Sequence, residues 1–273
     1  MSIENARVAI IVSTYNWPEA LKLNIRSIFR QTVLPTEIVI ADDGSGDETR
    51  QAIEDLKRES PIPIRHVWQE DCGFRKSDIL NEAIATTEAD YIVQTDGDVV
   101  LEKHFVEDHI AVAKAGFFVC GSRVNLSEKE SKELAKSQQE GKTEVHVSLR
   151  NPNFLNSLSI APLRTILKWL YRINLNSQTR GCNQSFWRSD LIKVNGYNED
   201  FQGWGFEDTE LSYRLANAGC KARALKCGGV CYHLHHKEFS RDRMSINAQI
   251  RDSVIKGKVS WCEKGLDRHL NKK

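Results

Sequence analysis

An apolar run from Tyr91 ends in two carboxylates separated by one glycine, "YIVQTDGDVV". Where a buried strand stops, Asp96 and Asp98 offer hard anionic oxygens that suit Mg2+ or Mn2+, ions that bridge readily to a diphosphate. Gly97 is expected to let the chain turn sharply enough for both carboxylates to face one point. A plain solvated turn fits the three residues equally well, because Asp and Gly are common turn residues. Other polar clusters tilt the reading towards chemistry. "DDGSGD" brings Asp42 and Asp43, carboxylates able to accept from a nucleobase N–H or a ribose hydroxyl. "DCGFRKSDILN" brings Arg75 and Lys76, cations that could neutralise phosphate near a helix start, although taken alone surface solvation is the preferred account of them.

Further along, "GWGFEDTEL" places Glu207 and Asp208 at the opening of a helical pattern (Leu211, Leu215, Ala218), where negative charge also complements the helix dipole. The flank argues for more than capping. Trp204, between Gly203 and Gly205, exposes aromatic surface on which a sugar ring can stack while a carboxylate reaches a hydroxyl. "CYHLHHKE" supplies His233, His235 and His236. In an extended segment His233 and His235 share one face and His236 takes the other, so His233 or His235 is the candidate metal ligand.

These residues need a frame, and the chain supplies one. Val8 to Val12 and Glu37 to Ala41 are short β-branched runs, with Leu21, Ile25, Ile28 and Phe29 at helical spacing between them. Asn16 with Glu19 and Ser45 with Glu48 have capping-box spacing. A third run, Ile64 to Trp68, precedes the helical pattern Leu80, Ala83, Ile84, and the run ending in Asp96 is the fourth strand. Strands alternating with helices predict a parallel, doubly wound α/β sheet over the first ~115 residues, with ligands beyond the carboxyl ends of the strands. "STYN", "DDGSGD" and "DGD" all fall there. Residues 125 to 150 are highly charged and read as a surface helix or flap. Residues 157 to 175 are amphipathic, with Arg164, Lys168 and Arg172, as in a core helix with a basic outer face or an interfacial membrane helix. A strand pair is expected around Ala222 to Leu234.

Composition sets outer bounds. The 273 residues are 40% hydrophobic, with 38 Lys and Arg against 37 Asp and Glu, so no bulk charge points to a nucleic-acid partner. Seven scattered cysteines without a CxxC pair signal neither a disulfide framework nor a zinc site. The N-terminus reads as neither signal peptide nor membrane span, and a cytoplasmic location is expected.

Through "VAIIVSTYN", "EIVIADDGSGDET", "GFRKSDILNEAI" and "YIVQTDGDVV" the chain resembles inverting family 2 glycosyltransferases of the GT-A fold. Its stretch "RGCNQSFWRSDLIKVNGYNEDFQGWGFEDTELSYRLANAG" is similar to the galactosyltransferase-type segment shared by chondroitin-polymerase-like enzymes and β-1,4-galactosyltransferases. The resemblance implies a mostly parallel doubly wound sheet with helices on both faces, in one continuous domain. Residues 1–120 would form the nucleotide-sugar half and residues 121–273 the acceptor half. It implies a UDP-sugar donor, with Thr14, Asp42, Asp43, Arg75 and Asp96 on the nucleotide. A divalent metal, Mn2+ or Mg2+, would sit on Asp96, Asp98 and His233, with His235 left open. Asp208 would be the general base, and Glu207 and Trp204 would meet acceptor or donor. Single displacement would turn an α-linked donor into a β-glycoside. Galactose or N-acetylgalactosamine would pass to a glycan or lipid-linked acceptor in bacterial surface polysaccharide synthesis, with possible peripheral membrane contact through residues 157–175. Two rivals compete: "DGDVV" fits the nucleophile motif of haloacid-dehalogenase-like phosphatases, and a sugar-nucleotide-binding protein without turnover would carry the same residues.

Overall fold

The computed structural model describes residues 3–139, 145, 147–170, 173–237 and 240–270. The first half alternates as expected. Strands β1 (Val8–Thr14), β2 (Glu37–Asp42), β3 (Ile64–Trp68) and β4 (Tyr91–Asp96) are followed or separated by helices α1 (Pro18–Phe29), α2 (Asp47–Glu59) and α3 (Lys76–Thr86). A short strand β5 (Val99–Leu101), helix α4 (Phe105–Val112), strands β6 (Phe117–Cys120) and β7 (Val124–Asn125) and helix α5 (Glu128–Gln139) come next. Then come α6 (Ala161–Leu170), α7 (Leu175–Gln178), β8 (Gln184–Trp187), α8 (Arg188–Lys193) and α9 (Glu207–Asn217). The chain closes with β9 (Lys221–Ala224), β10 (Cys231–His233), α10 (Met244–Gly257) and α11 (Asp267–Leu270).

Seven strands form one sheet in the order β3-β2-β1-β4-β8-β6-β9. The first four run parallel, β8 is antiparallel to both its neighbours, and β6 and β9 are again parallel. Period-two alternation with both faces covered explains why β1 is apolar from Val8 to Val12. Ile10 and Val12 pack with Leu21, Ile25 and Ile28 of α1, whereas Ile11 faces Ile79, Leu80 and Ala83 of α3. A strand buried on both faces has no polar side to alternate with. Each of these fully enclosed Val, Leu and Ile side chains contributes about 1.5–3 kcal/mol. The carboxyl ends of β1, β2, β4 and β6 share one edge, and the site lies along it.

A second sheet, β5-β10-β7, folds over that edge. Here the expectation of a strand pair around 222–234 is corrected. β9 stays in the large sheet beside β6, while β10 crosses to the small one between β5 and β7. Leu126 and Leu134 pack with Val124 and Tyr232 of that sheet, so the charged segment contributes buried residues to it, and residues 140–144 and 146 lie outside those described.

Two further expectations change. Neither capping box forms: the N-caps of α1 and α2 are Trp17 and Gly46. Instead Asn16 N–H donates to Ser45 Oγ (2.8 Å) and Gly46 N–H to Asn16 Oδ1 (2.9 Å), tying the β1 and β2 loops together. On α6, Arg164 does not face outward. It is paired with Asp108 of α4, itself fully buried, while Leu163 and Ile166 are exposed. The Lys168 side chain and Arg172 lie outside the described residues.

Candidate active site

The loop after β4 is pinned from behind. Asn24 of α1 donates to the carbonyls of Asp96 (3.1 Å) and Val99 (2.8 Å), and Gly97 N–H donates to the Ser13 carbonyl (2.7 Å). Gly97 is favoured by closeness rather than by a left-handed turn. A Cβ there would lie 3.1 Å from the Ser13 carbonyl oxygen and 3.2 Å from Thr14 Oγ1. The two aspartates part company as a result. Asp96 Oδ1 accepts from Ser13 Oγ (2.7 Å) and Lys76 Nζ (2.6 Å). Asp98 turns towards β10, with His233 Nε2 at 3.5 Å and His236 Nε2 at 3.1 Å from its Oδ2.

Asp98, His233 and His236 therefore form the metal-competent cluster, with one ligand atom from each lying within 4.8 Å of the others. His235, expected beside His233, does not join it, and His236 does. The reason is local: β10 ends at His233, so strand alternation stops before it can place His235. His235 instead gives its N–H to Ser131 Oγ of α5. The donor set fits a divalent cation. Asp98 Oδ1 is buried with no hydrogen-bond partner among the described residues. Burial holds the His233 imidazole below its usual range, towards the neutral form that ligates metal. His236 is raised instead, by its hydrogen bond to Asp98.

The nucleotide candidates sit where the sequence places them, but their side chains are already engaged. Asp42 is fully buried; its Oδ1 accepts from Ser45 N–H (2.8 Å) and its Oδ2 faces His66 Nε2 (2.9 Å). Asp43 accepts from Gln69 Nε2 (2.5 Å) and Arg75 N–H (2.9 Å), and burial pushes its carboxyl up to about 6 despite those bonds. Arg75 sends a guanidinium N–H back to the Glu70 carbonyl at 2.6 Å. Thr14 is buried, its carbonyl accepting from Asp43 N–H.

Across the cleft, α9 is fixed by a buried ion pair. Arg214 is bidentate to Glu210 at 2.8 Å and donates to the Gly196 carbonyl (2.7 Å). Removing one partner of such a pair costs about 3–5 kcal/mol. Phe206, just before α9, is a non-glycine residue held at φ 73°, with the Arg251 guanidinium 4.1 Å from its ring centre. Asn247 of α10 donates to the Gln202 (3.2 Å) and Trp204 (3.4 Å) carbonyls. Trp204 stays 39% exposed, enough to stack on a ligand, with Arg241 over its ring.

This framework aims the acidic pair inward. Asp208 Oδ2 accepts from Gly181 N–H (2.8 Å) and Oδ1 from Thr209 N–H (2.6 Å). Glu207 is pushed up to about 7, first by burial and then by the Asp208 charge, against the pull of Lys76. Lys76 joins the two acidic pairs: burial opposes its charge, but Asp96 and Glu207 raise its pKa. Sequence reasoning left Lys76 as a solvated residue and missed His236, Asn247 and Arg251. Only their adjacency to recognised motifs could have marked the first two, and nothing local marks the α10 pair.

The family model for glycosyl transferase family 2 matches residues 9–167. The chain belongs to this family. A second model, described as the N-terminal domain of galactosyltransferase, matches residues 163–237. Membership and the position of the aspartates after the fourth strand leave the phosphatase alternative without support. Chondroitin synthase of Pasteurella multocida is 26% identical over 98% of the chain, which spans 29% of that relative's length. Two solved structures share the GT-A fold. Staphylococcus aureus TarS 1-349 in complex with UDP superposes with a TM-score of 0.59 at 15% identity, covering 96% of this chain and 68% of that one. A mannosyltransferase from Pyrobaculum calidifontis in complex with GDP-Man and Mn2+ gives 0.58 at 19% identity, covering 85% and 58%.

Proposed function

We propose that this family 2 protein is an inverting, metal-dependent hexosyltransferase. It moves a sugar, galactose or N-acetylgalactosamine favoured, from a UDP-sugar to a hydroxyl of a glycan or lipid-linked acceptor in surface polysaccharide synthesis. One observation carries the reading. The Asp98–His233–His236 cluster, Asp96 and the Glu207–Asp208 pair converge on Lys76 at the carboxyl edge of one sheet. The UDP-bound and Mn2+-bound fold neighbours and the chondroitin synthase likeness support the donor class.

Asp98, His233 and His236 would hold the divalent ion, which when bound shares the negative charge of the departing diphosphate. Residues 1–120 bind the nucleotide and residues 121–273 the acceptor. Because the side chains of Asp42 and Asp43 are engaged within the fold, they shape the base pocket through the Arg75 and Ser45 backbone as much as by direct contact. Lys76 keeps Asp96 neutralised beside the phosphates. The acceptor hydroxyl approaches from the far side of the anomeric carbon and gives its proton to Asp208, which Gly181 and Thr209 N–H orient. Glu207, whose carboxyl is pushed up to about 7, donates to a sugar hydroxyl in its protonated form, and Trp204 stacks on the ring. One displacement from an α-linked donor leaves a β-glycoside.

Membrane contact through residues 157–175 would rest on the apolar Leu163 and Ile166, since Arg164 is turned inward. Among the described residues no helix is long and apolar enough to cross a membrane. A panel of UDP-sugars tested for UDP release with Mn2+, Mg2+ or EDTA decides the main reading. Metal-dependent hydrolysis of one sugar supports it and names the donor. No hydrolysis, with no thermal shift from any UDP-sugar, rejects it.

A further inference from the structure

Strand β4 carries one residue that breaks its apolar pattern. Gln94 lies on the same face as Ile92, towards α3 and α9, and is buried where an aliphatic side chain would pack. Its partner across the β4–β8 ladder is a second buried glutamine, Gln184. Burying an amide costs free energy unless its hydrogen bonds are made. The bonds of both glutamines lead to one residue, Asp208.

Gln94 Nε2 donates to the Gly181 carbonyl (2.9 Å), and its Oε1 accepts from the Tyr197 hydroxyl (2.7 Å). Tyr197 is held in turn by Asn81 of α3, which accepts from its N–H (2.7 Å) and donates to its carbonyl (2.8 Å). Gly181 N–H then reaches Asp208 Oδ2 (2.8 Å). On the other strand Gln184 Nε2 donates to Ser212 Oγ (3.1 Å), whose hydroxyl donates to the Asp208 carbonyl (2.8 Å). Gly181 is where this support matters most. A residue without a Cβ turns freely about both of its backbone bonds, so anchoring the Gly181 carbonyl fixes the direction in which its N–H points. The position is central to the site: a Cβ added there would lie 3.7 Å from Asp208 Cβ, Gln94 Nε2 and Lys76 Nζ alike.

We propose that Gln94 and Gln184 are positioning residues for the transfer step, holding the Asp208 carboxylate at the angle from which it takes the acceptor proton, Gln94 through Gly181 and Gln184 through Ser212. This deepens the glycosyltransferase reading above and rests on it. With Thr209 N–H on Oδ1 and Gly181 N–H on Oδ2, rotation of the carboxylate is stopped from both sides. A misplacement of about 1 Å at a reacting group lowers a rate by roughly 100-fold. A hydrogen bond two steps removed from the substrate therefore acts on turnover and leaves nucleotide binding alone.

A double-mutant cycle on the full chain tests it. The readouts are metal-dependent UDP release from the UDP-sugar that the wild type hydrolyses, with water in place of the acceptor hydroxyl, and calorimetry of UDP with Mn2+. Gln94→Met, which keeps the length of the side chain and removes both of its hydrogen bonds, should lower kcat roughly 10- to 100-fold with KM and UDP affinity unchanged. In the Asp208→Asn background the same change should cost little more, because a residue that acts through the carboxylate loses its effect once the carboxylate is gone. Tyr197→Phe, which frees the Gln94 amide but keeps the ring, should show the same pattern at smaller size. It and Gln184→Met carry the cycle if Gln94→Met fails to fold. An equal loss in both backgrounds, a loss of UDP affinity that matches the loss of kcat, or no loss at all overturns the assignment. The wild type separates the two failures. UDP release with an additive cycle sinks only the role of the glutamines, whereas absence of release and of UDP binding removes the transferase reading beneath it.

Discussion

The two acidic pairs of the site do opposite things with their charge. Asp96 and Asp98 are each matched by a cationic or metal-ligating partner, Lys76 on one side and the two histidines on the other. Glu207 and Asp208 stand side by side, and burial together with the Asp208 charge pushes the Glu207 carboxyl up to about 7. In the function proposed above, the first pair keeps charge in place and the second moves a proton. Their supports differ in the same sense. The Asp96–Asp98 turn hangs on β1, β4 and the buried Asn24, whereas Glu207 hangs on a loop with Phe206 in a strained backbone conformation, tethered by α10. Strain of that kind costs about 1–3 kcal/mol and persists only where surroundings enforce it.

Breaking the charge-holding pair should have the largest effect. Asp98→Ala is expected to abolish metal-dependent UDP binding, and calorimetry showing unchanged affinity with Mn2+ would remove Asp98 from the site. Breaking the proton-moving pair comes next. Asp208→Asn should lower kcat by roughly 10²- to 10⁴-fold with UDP affinity nearly intact, and near-wild-type turnover would take the base role from it.

Subtler changes separate the pairs by pH. The folded-state pKa of Glu207 lies above its ordinary value of 4.5, so its stabilising contribution is fully present below about 4.5 and is lost as pH rises through about 7. Glu207→Gln, which cannot ionise, should therefore gain on the wild type as pH rises from 5 to 8. A Tm difference of about 2–4 °C corresponds to 1 kcal/mol in a domain of this size; identical differences at both pH values would contradict the buried-acid reading. The smallest expected effect is from Phe206→Gly, which relieves the left-handed residue but loses the Arg251 contact. Turnover should drop about tenfold while Tm changes by no more than a few degrees. Unchanged turnover would show that the aim of Glu207 does not need this loop conformation.

Legibility in the sequence followed the range of the interactions. β1 to β4 and their helices were readable because strand and helix periods are local and both faces of β1 are buried. The strand-end acidic motifs were readable for the same reason. What failed depended on distant partners. His236 reaches Asp98 only because β10 stops at His233, and β9 and β10 separate because each finds a partner in a different sheet. Asn16 and Ser45 carry the spacing of caps, yet each meets the other's loop once β1 and β2 lie side by side. Arg164 has the look of an outward cation because nothing nearby in sequence reveals the buried Asp108. Lys76 is a surface residue by type and a central one by position.

Strand β10 bonds on one side to β5, directly after Asp98, and on the other to β7, which begins next to Arg123. One three-residue strand thus joins the metal-competent cluster to the segment that begins at β7. Binding free energies at two sites joined this way are reciprocal. Whatever factor a ligand on the Asp98 side of β10 adds to the affinity of a ligand on the β7 side, the second returns to the first, whichever of the two loads earlier.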